Sequence, residues 1–386
     1  MAFHIPMQNK CITVLSHFGW GMYRYRLDFL CELVGAGWEV TAIADWSDGP
    51  YEALVRTRGV QTRSIRMARS RYDLPGDLRT IAQLFLLYRG LKPDVAQHFH
   101  TRPMILGAIA ARLARVPKIV NCVTGLGMLF SGKWNRLRRR LLPLYRLAFG
   151  GDVVAVFQND HDLDYMVANR LIARNRTHLV RGSGVDTEAL KPDPGVKPKD
   201  RDVVIMASRM MWSKGVKEFV EAAEILRPRF PDIRFLLAGG LSAAYGMHNP
   251  DDIDEAWLKR ATGRGAARWL GHLEPLAVET LFRRAAVVVL PSFYPEGLPR
   301  CLIEGAAAGA PVVTTDMPGC RDAILAGVSG LLCPPRSSEK LAQAIAEILA
   351  DRDTAARMSA ASRRLAVEQF DVRDIARAFV SIYNHP

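Results

Sequence analysis

Two glutamates, Glu296 and Glu304, stand eight residues apart in the run Tyr294-Pro295-Glu296-Gly297-Leu298-Pro299-Arg300-Cys301-Leu302-Ile303-Glu304. Gly297 and Pro299 suit a turn that leads into a first helical position, and Leu302 to Ala308 suit the helix interior. Laid along a helix, such a spacing covers about 12 Å. Glu296 then stands at the positive N-terminus and Glu304 about two turns further in. That is a ruler for an extended ligand, with an anionic group at the helix start and hydroxyls gripped by a carboxylate at each end. A nucleotide sugar has this layout: sugar, diphosphate and ribose diol in a row. The bland alternative is a helix-start acid followed by a solvated one, and two bare glutamates do not decide between them.

A second turn adds cations. Ser208-Arg209-Met210-Met211-Trp212-Ser213-Lys214-Gly215 follows the apolar run Val203 to Ser208 and precedes a helical pattern. Arg209 at a strand's C-terminal end and Lys214 just before a helix would point at the same anion. Alone, such residues are ordinarily solvated loop cations; in the same half as the glutamates, the joint reading is a diphosphate site.

The elements that must position these residues repeat. Cys11 to Ser16 is an apolar run ending at Phe18-Gly19-Trp20-Gly21, followed by Leu27, Leu30, Leu33 and Val34 at helical spacing; Val203 to Ser208 begins the second half the same way, with Phe219, Val220, Ala223 and Leu226 behind it. Further strands are expected at Val40–Ala44, Asp94–Phe99, Lys118–Val123 and Asp152–Phe157. In the second half they are Ile233–Ala238, Ala286–Leu290, Pro311–Thr315 and Leu331–Leu332. Strand–helix alternation at this spacing implies an α/β chain of two Rossmann-like, doubly wound parallel-sheet domains facing across a cleft. The domains are expected at 1–186 and 201–370, with the Pro/Lys-rich stretch within 187–200 as linker. Ligands of such sheets bind beyond the C-terminal ends of the strands.

The chain has 386 residues, 49% hydrophobic and 24% charged, an ordinary globular composition. Its apolar runs fall short of the roughly 18 residues of a membrane-spanning helix. No charged-then-apolar leader is apparent, and the six cysteines form no CxxC pair, so a reduced, cytoplasmic protein is expected. The net charge of +13 is one-sided: residues 1–186 carry 26 Lys+Arg against 14 Asp+Glu, whereas 187–386 carry 26 against 25. A basic half points to an anionic partner: a lipid surface, nucleic acid or a diphosphate substrate.

Together, Arg209…Lys214-Gly215, Glu296-Gly297-Leu298-Pro299…Glu304, Gly271-His272 and Gly184-Val185-Asp186 resemble the retaining glycosyltransferases of family 4, which have the GT-B fold. The resemblance spans essentially the whole chain and implies that the last segment, 371–386, crosses back onto the first domain. By the same resemblance Arg209 and Lys214 neutralise the leaving nucleoside diphosphate, while Glu296 holds the donor sugar. Glu304 would take the ribose diol, and the Gly297 and Leu298 amides and His272 would contact the donor. Gly19 and Gly21 fit the family's glycine-bearing first loop, though without its strict Gly-Gly pair. No cofactor beyond the nucleotide-sugar co-substrate is implied, and no metal.

Asp-x-Asp triplets, which hold metal in many other glycosyltransferases, do occur: Asp160-His161-Asp162, Asp162-Leu163-Asp164 and Asp252-Ile253-Asp254. Asn159-Asp160 reads instead as a helix N-cap before Leu163, Met166 and Val167.

The first half is expected to hold the acceptor. His98-Phe99-His100-Thr101-Arg102 ends one strand and Thr124-Gly125-Leu126-Gly127 follows the next. Joint metal ligation by His98 and His100 is not expected. His100, Arg102 and Thr124 are the acceptor candidates; a structural cap or core contact is an equal reading of His100. Many family members carry a histidine where Thr124 stands. The run from His98 to Val120 resembles the subgroup acting on undecaprenyl-diphosphate-linked saccharides in capsule, O-antigen or protein-glycan assembly. Lys133 to Phe149 supports a lipid setting: Trp134, Leu137, Leu141, Leu144, Tyr145 and Ala148 recur at helical spacing beside Lys133, Arg136, Arg139, Arg140 and Arg146, with a kink expected at Pro143. A core-packed helix with a solvated basic face is the equal alternative; the basic half and the lipid-linked acceptor favour a peripheral protein on the inner membrane face. Competing functions are a UDP-sugar 2-epimerase of the same fold and a basic nucleic-acid-binding protein. The latter is disfavoured because the arginine-rich stretch lacks a recognised binding motif.

Overall fold

The computed structural model describes residues 10–67, 73–127, 135–242 and 249–385, with the side chains of 135–141 and Lys199 outside the description. The chain divides into two compact units. The first holds the described residues up to Thr124, 135–180 and those from Ile375 onward; the second holds 125–127 and those from Arg181 to Asp374.

The first unit alternates strand and helix: β1 (Cys11–Phe18), α1 (Gly19–Gly35), β2 (Glu39–Asp45), α2 (Tyr51–Arg56), β3 (Gln61–Ser64), α3 (Leu74–Leu91), β4 (Val95–Phe99), α4 (Thr101–Leu113), β5 (Lys118–Val123), α5 (Asn135–Phe149), β6 (Val154–Phe157), α6 (Asp160–Ala168) and β7 (Thr177–Leu179). Its seven strands lie in the order β3-β2-β1-β4-β5-β6-β7, every pair parallel. Ile12 pairs with Val40 on one side and Val95 on the other, and Ile12, Val14 and Leu15 are fully buried. A sheet covered on both faces demands such uninterrupted apolar strands.

The second unit comprises β8 (Val203–Ala207), α7 (Val216–Leu226), β9 (Arg234–Ala238), α8 (Glu255–Thr262), β10 (Ala267–Trp269), α9 (Pro275–Arg283), β11 (Ala285–Leu290), α10 (Arg300–Ala307), β12 (Val312–Thr315), β13 (Gly330–Cys333), α11 (Ser338–Ala350) and α12 (Arg352–Gln369). Its six strands run parallel in the order β10-β9-β8-β11-β12-β13. These are the two Rossmann-like parallel-sheet domains expected from the strand–helix alternation. The last helix, α13 (Val372–Asn384), packs in the first unit from Ile375 onward: the Phe379 ring meets Phe29 edge-on, centroids 5.1 Å apart, and the Tyr383 hydroxyl donates to Gln97 Oε1 at 3.1 Å.

Each sheet reverses its strand order at one place: between β1 and β4 in the first, between β8 and β11 in the second. Connections from these neighbours leave toward opposite faces, which opens a crevice beyond their C-terminal ends. In the second unit, the turns leaving β8 and β11 carry Arg209, Lys214 and Glu296.

Candidate active site

The β8 and β11 turns are stitched into one body. The Ser213 carbonyl accepts the amides of Phe293 at 2.8 Å and Tyr294 at 3.1 Å. Gly215, the N-cap of α7, has φ +81°, and a Cβ there would lie 2.2 Å from the Pro291 carbonyl oxygen. Only glycine both adopts that conformation freely and lets the turns touch.

This contact delivers Lys214 to Glu296. Their side chains form an ion pair and are only 13% and 12% exposed. The Ser292 hydroxyl, fully buried, lies 3.0 Å from Glu296 Oε1 and accepts the Tyr294 amide at 3.1 Å. The Lys214 ammonium stands 5.3 Å from the centre of the Tyr294 ring. Burial acts to depress the Lys214 pKa, but the charge and hydrogen bond of Glu296 prevail, against repulsion from Arg209, and hold it above its ordinary value. Arg209 is half-buried, and among the described residues its side chain makes no hydrogen bond or ion pair. The cluster therefore offers an uncommitted guanidinium beside an ammonium shared with one carboxylate, at the start of α7. Such a set favours a polyanion.

The Glu296 turn is pressed from behind by the segment after β12. Gly319 has φ +79°, and a Cβ on it would fall 2.2 Å from the Gly297 carbonyl oxygen and 2.6 Å from that of Glu296. Leu298 buries its side chain in the domain core.

The helical ruler needs correction. Pro299 is the N-cap of α10, so Glu296 lies in the turn outside the helix and Glu304 sits about one turn inside it, not two. Apolar Leu302, Ile303, Ala306 and Ala307 hold α10 in the core, and Glu304 is buried with them. Its carboxylate accepts from Arg300 Nε at 2.8 Å, an i,i+4 pair with side chains 13% and 5% exposed. Arg300, Ser292 and Tyr294 are site residues that sequence reasoning missed. Arg300 stands at the legible i−4 spacing from Glu304, whereas Ser292 carries no sequence signal at all.

His272 is exposed past β10 and takes no part in the Lys214–Glu296 pair. The triplet aspartates have other partners: Asp164 pairs with Arg174, Asp162 accepts from Asn159 Nδ2 at 3.2 Å, and Asp252 accepts from the Ser242 hydroxyl. Asn159 caps α6 by accepting the Asp162 amide at 2.8 Å, as the N-cap reading requires, and Asp254 caps α8 by accepting the Ala256 amide at 2.8 Å.

In the first unit, His100 and Thr124 come together at the ends of β4 and β5, Nδ1 to Oγ1 3.2 Å. His100 is the N-cap residue of α4 with φ +71°, a conformation that strains a side-chain-bearing residue. Burial, then the nearby charges of Arg26 and His17, push its pKa down to about 3, so it is neutral at physiological pH. His98 points into the core between Asn121 Oδ1 at 2.8 Å and the Tyr88 hydroxyl at 3.1 Å, and burial lowers its pKa to about 4. Arg102 is engaged with Asp77 across α3 and α4 at 2.7 Å. Gly19 and Gly21 occupy the first turn of α1 rather than a loop before it. A Cβ on Gly19 would lie 2.7 Å from Asp48 Oδ1, while Gly21 meets only Ser16 Oγ at 4.0 Å. Asp48 Oδ2 accepts the Trp20 amide at 2.9 Å, so a carboxylate already lies at this helix start.

The arginine-rich helix forms, α5, and runs without interruption through Pro143. Its apolar stripe divides: Tyr145, Ala148 and Phe149 are core, whereas Leu144 and Leu147 face solvent. Lys133 and Trp134 lie outside the described residues. Arg136, Arg139 and Arg140 lie on α5 with their side chains outside the description. No described helix is long and apolar enough to cross a membrane.

The fold agrees with what comparison with known proteins finds. The family model for a glycosyl transferase 4-like domain matches residues 21–182, and that for glycosyl transferases group 1 matches 188–365. The chain is a glycosyltransferase of GT-B architecture, built of these two domains in succession. It is 25% identical, over 97% of its length and 98% of the relative's, to the N,N'-diacetylbacillosaminyl-diphospho-undecaprenol alpha-1,3-N-acetylgalactosaminyltransferase of Campylobacter jejuni. It is 33% identical to glycogen synthase of Mycobacterium tuberculosis over 47% of this chain and 42% of that one. Among solved structures it superposes on a glycosyltransferase from Rickettsia africae (TM-score 0.77, 17% identity, 97% and 98% of the two chains). It also superposes on Anabaena Alr3699/HepE in complex with UDP and glucose (TM-score 0.77, 18% identity, 97% and 99%).

Proposed function

We propose that the chain transfers a sugar, with retention at the anomeric carbon, from a UDP-sugar to a saccharide carried on a polyprenyl diphosphate. The observation that carries this is the grouping of Arg209, Lys214 and Glu296 at the second unit's strand-order reversal: two cations for a diphosphate and a carboxylate for sugar hydroxyls. The lipid-linked acceptor is supported by the end-to-end similarity to a relative whose name specifies one, and the uridine nucleotide by a structural neighbour that holds UDP.

In this reading an acceptor hydroxyl oxygen bonds to the anomeric carbon as the bond from that carbon to the diphosphate oxygen breaks. Its proton passes to the departing phosphate. Arg209 and Lys214 stabilise the charge that develops on the leaving diphosphate, which is why no metal is assigned. Glu296 orients the donor sugar, Glu304 takes the ribose hydroxyls, and the neutral His100 and Thr124 serve the acceptor. The enzyme works from the cytoplasmic membrane face, held there by the basic first domain.

The test is a panel of radiolabelled UDP-sugars offered with a lipid-diphosphate glycan extract. Label should move into the lipid-linked fraction, and the new linkage should keep the donor's anomeric configuration. Inversion, or isomerisation of the UDP-sugar without any acceptor, would sink the proposal.

A further inference from the structure

Helix α3 is apolar on both sides. Thr80, Leu84 and Tyr88 face inward and are buried. Yet Leu74, Leu78, Ala82 and Leu86, spaced by four or eight residues along one outer stripe, are all exposed, the three leucines by 71%, 59% and 68%. Single exposed leucines are common; a helix-long stripe opposite a core-facing stripe is not, because a surface helix ordinarily turns polar residues outward. The stripe extends about 18 Å along the axis.

Its surroundings are basic. Arg79 and Arg89 are exposed on the same outer face, and the two nearby carboxylates are engaged: Asp73 accepts the Gly76 amide at 2.9 Å, and Asp77 pairs with Arg102. Helix α4 packs between α3 and α5, and on α5 the exposed Leu144, Arg146 and Leu147 repeat the combination. Across the three helices the sequence places nine arginines and a single acid, Asp77.

We propose that the outer face of α3 is a docking surface for an anionic lipid bilayer, its leucines entering the interface and its arginines meeting the headgroups. The proposal rests on the membrane setting argued above but concerns an element that reading did not include. Charge selects the occupant: a second copy would bring the same arginines against these in a two-fold contact, whereas an anionic lipid layer offers both negative charge and an apolar interior.

Purified full-length protein is mixed with phosphatidylcholine vesicles, with or without about one third phosphatidylglycerol. Wild type should bind only the anionic vesicles and come off in high salt. Combining Leu74→Ser, Leu78→Ser and Leu86→Ser should weaken binding by about tenfold or more, with UDP affinity unchanged. Ala82→Leu, which extends the stripe without removing anything, should strengthen it and guards against misfolding of the triple variant. Vesicle binding that ignores both changes overturns the proposal, as does wild-type self-association that the triple variant abolishes. Transfer to a short soluble acceptor is followed in parallel: its absence in wild type refutes the proposed activity and leaves the vesicle result to judge the surface.

Discussion

Replacing Lys214 separates what the ion pair does for the fold from what it does for transfer. The Lys214 and Glu296 side chains are 13% and 12% exposed, so Lys214→Met leaves a nearly buried carboxylate without its opposite charge. Breaking such a pair from one side costs about 3–5 kcal/mol. Arg209, close enough to repel the Lys214 ammonium, can offset part of this, which puts the expected loss at about 3 kcal/mol. Glu296→Gln leaves that ammonium facing Arg209 without its counter-charge and should also destabilise. In Lys214→Met/Glu296→Gln neither charge remains, so urea unfolding should recover most of the lost stability, a coupling of about 3 kcal/mol in the double-mutant cycle. Single-turnover transfer should show no such recovery. A lost charge contact to the leaving group slows the step by about 10²–10³, and the double variant still lacks it. The pH dependence gives a second reading. Because the folded pKa of Lys214 is raised, the pair's contribution is fully present below pH 10.5 and disappears as pH rises through the folded value. The alkaline loss should therefore be shallower in Lys214→Met. A coupling energy near zero, or a double variant that regains transfer along with stability, would refute the assignment.

Glu304→Gln should weaken UDP binding in calorimetry, whereas Glu296→Gln should leave UDP affinity intact and depress transfer; equal losses of UDP affinity contradict the division of labour. Chelation by EDTA should leave transfer unchanged, and restoration of a chelated enzyme by Mn²⁺ would count against the two-cation grip. Replacing Arg136, Arg139 and Arg140 together with glutamate should lower binding to anionic vesicles, by about 1 kcal/mol per removed cation, and slow transfer to long-chain lipid acceptors more than to soluble ones. For His98, burial lowers the folded pKa from 6.5 to about 4, so the unfolded chain binds the proton first and stability falls as pH drops from 6.5 toward 4. The loss is about 3 kcal/mol from the size of that shift; His98→Gln, less stable at neutral pH, should show a flatter acid limb.

What could be read in the residues follows from how each element is stabilised. Strands buried on both faces, such as β11 with Ala-Ala-Val-Val-Val-Leu, are legible as continuous apolar runs, and every strand of that kind was located. The edge strands β3, Gln-Thr-Arg-Ser, and β7, Thr-His-Leu, were not: pairing on one side only, they need little apolar surface and look like loops. Arg209, Lys214 and Glu296 were legible because charged residues directly after apolar strands fall at the ligand end of a parallel sheet. The start of α10 is not fixed by the residues because Gly297 and Pro299 both suit a helix start, and only the backbone decides that Pro299 is the cap. On α5 a period of 3.6 could not say which stripe meets the core, since Tyr145 and Leu144 are neighbours that differ only in direction. The outer leucines of α3 escaped notice for the complementary reason: a helix apolar on two sides has a weak periodic signal.

The two strand-order reversals carry different chemistry at the helix starts beside them. At the second, the β8 turn brings Arg209 and Lys214 to the start of α7, whose N-cap is the side-chain-free Gly215. The cap residue of α7 itself thus brings no carboxylate, and the acid of its first turn is Glu218. At the first, Asp48 accepts an amide in the opening turn of α1, so a phosphate could use that helix start only after displacing a carboxylate. The side chains beside it that are free of net charge are His100, held neutral by burial, and Thr124, bonded to it. Such a pair has hydroxyl and imidazole groups to exchange hydrogen bonds with sugar and no charge with which to hold phosphate. On this argument Gly19 matters for fitting α1 against Asp48 and Trp46, and the proposed diphosphate grip is assigned to Arg209 and Lys214 rather than to Gly19 and Gly21.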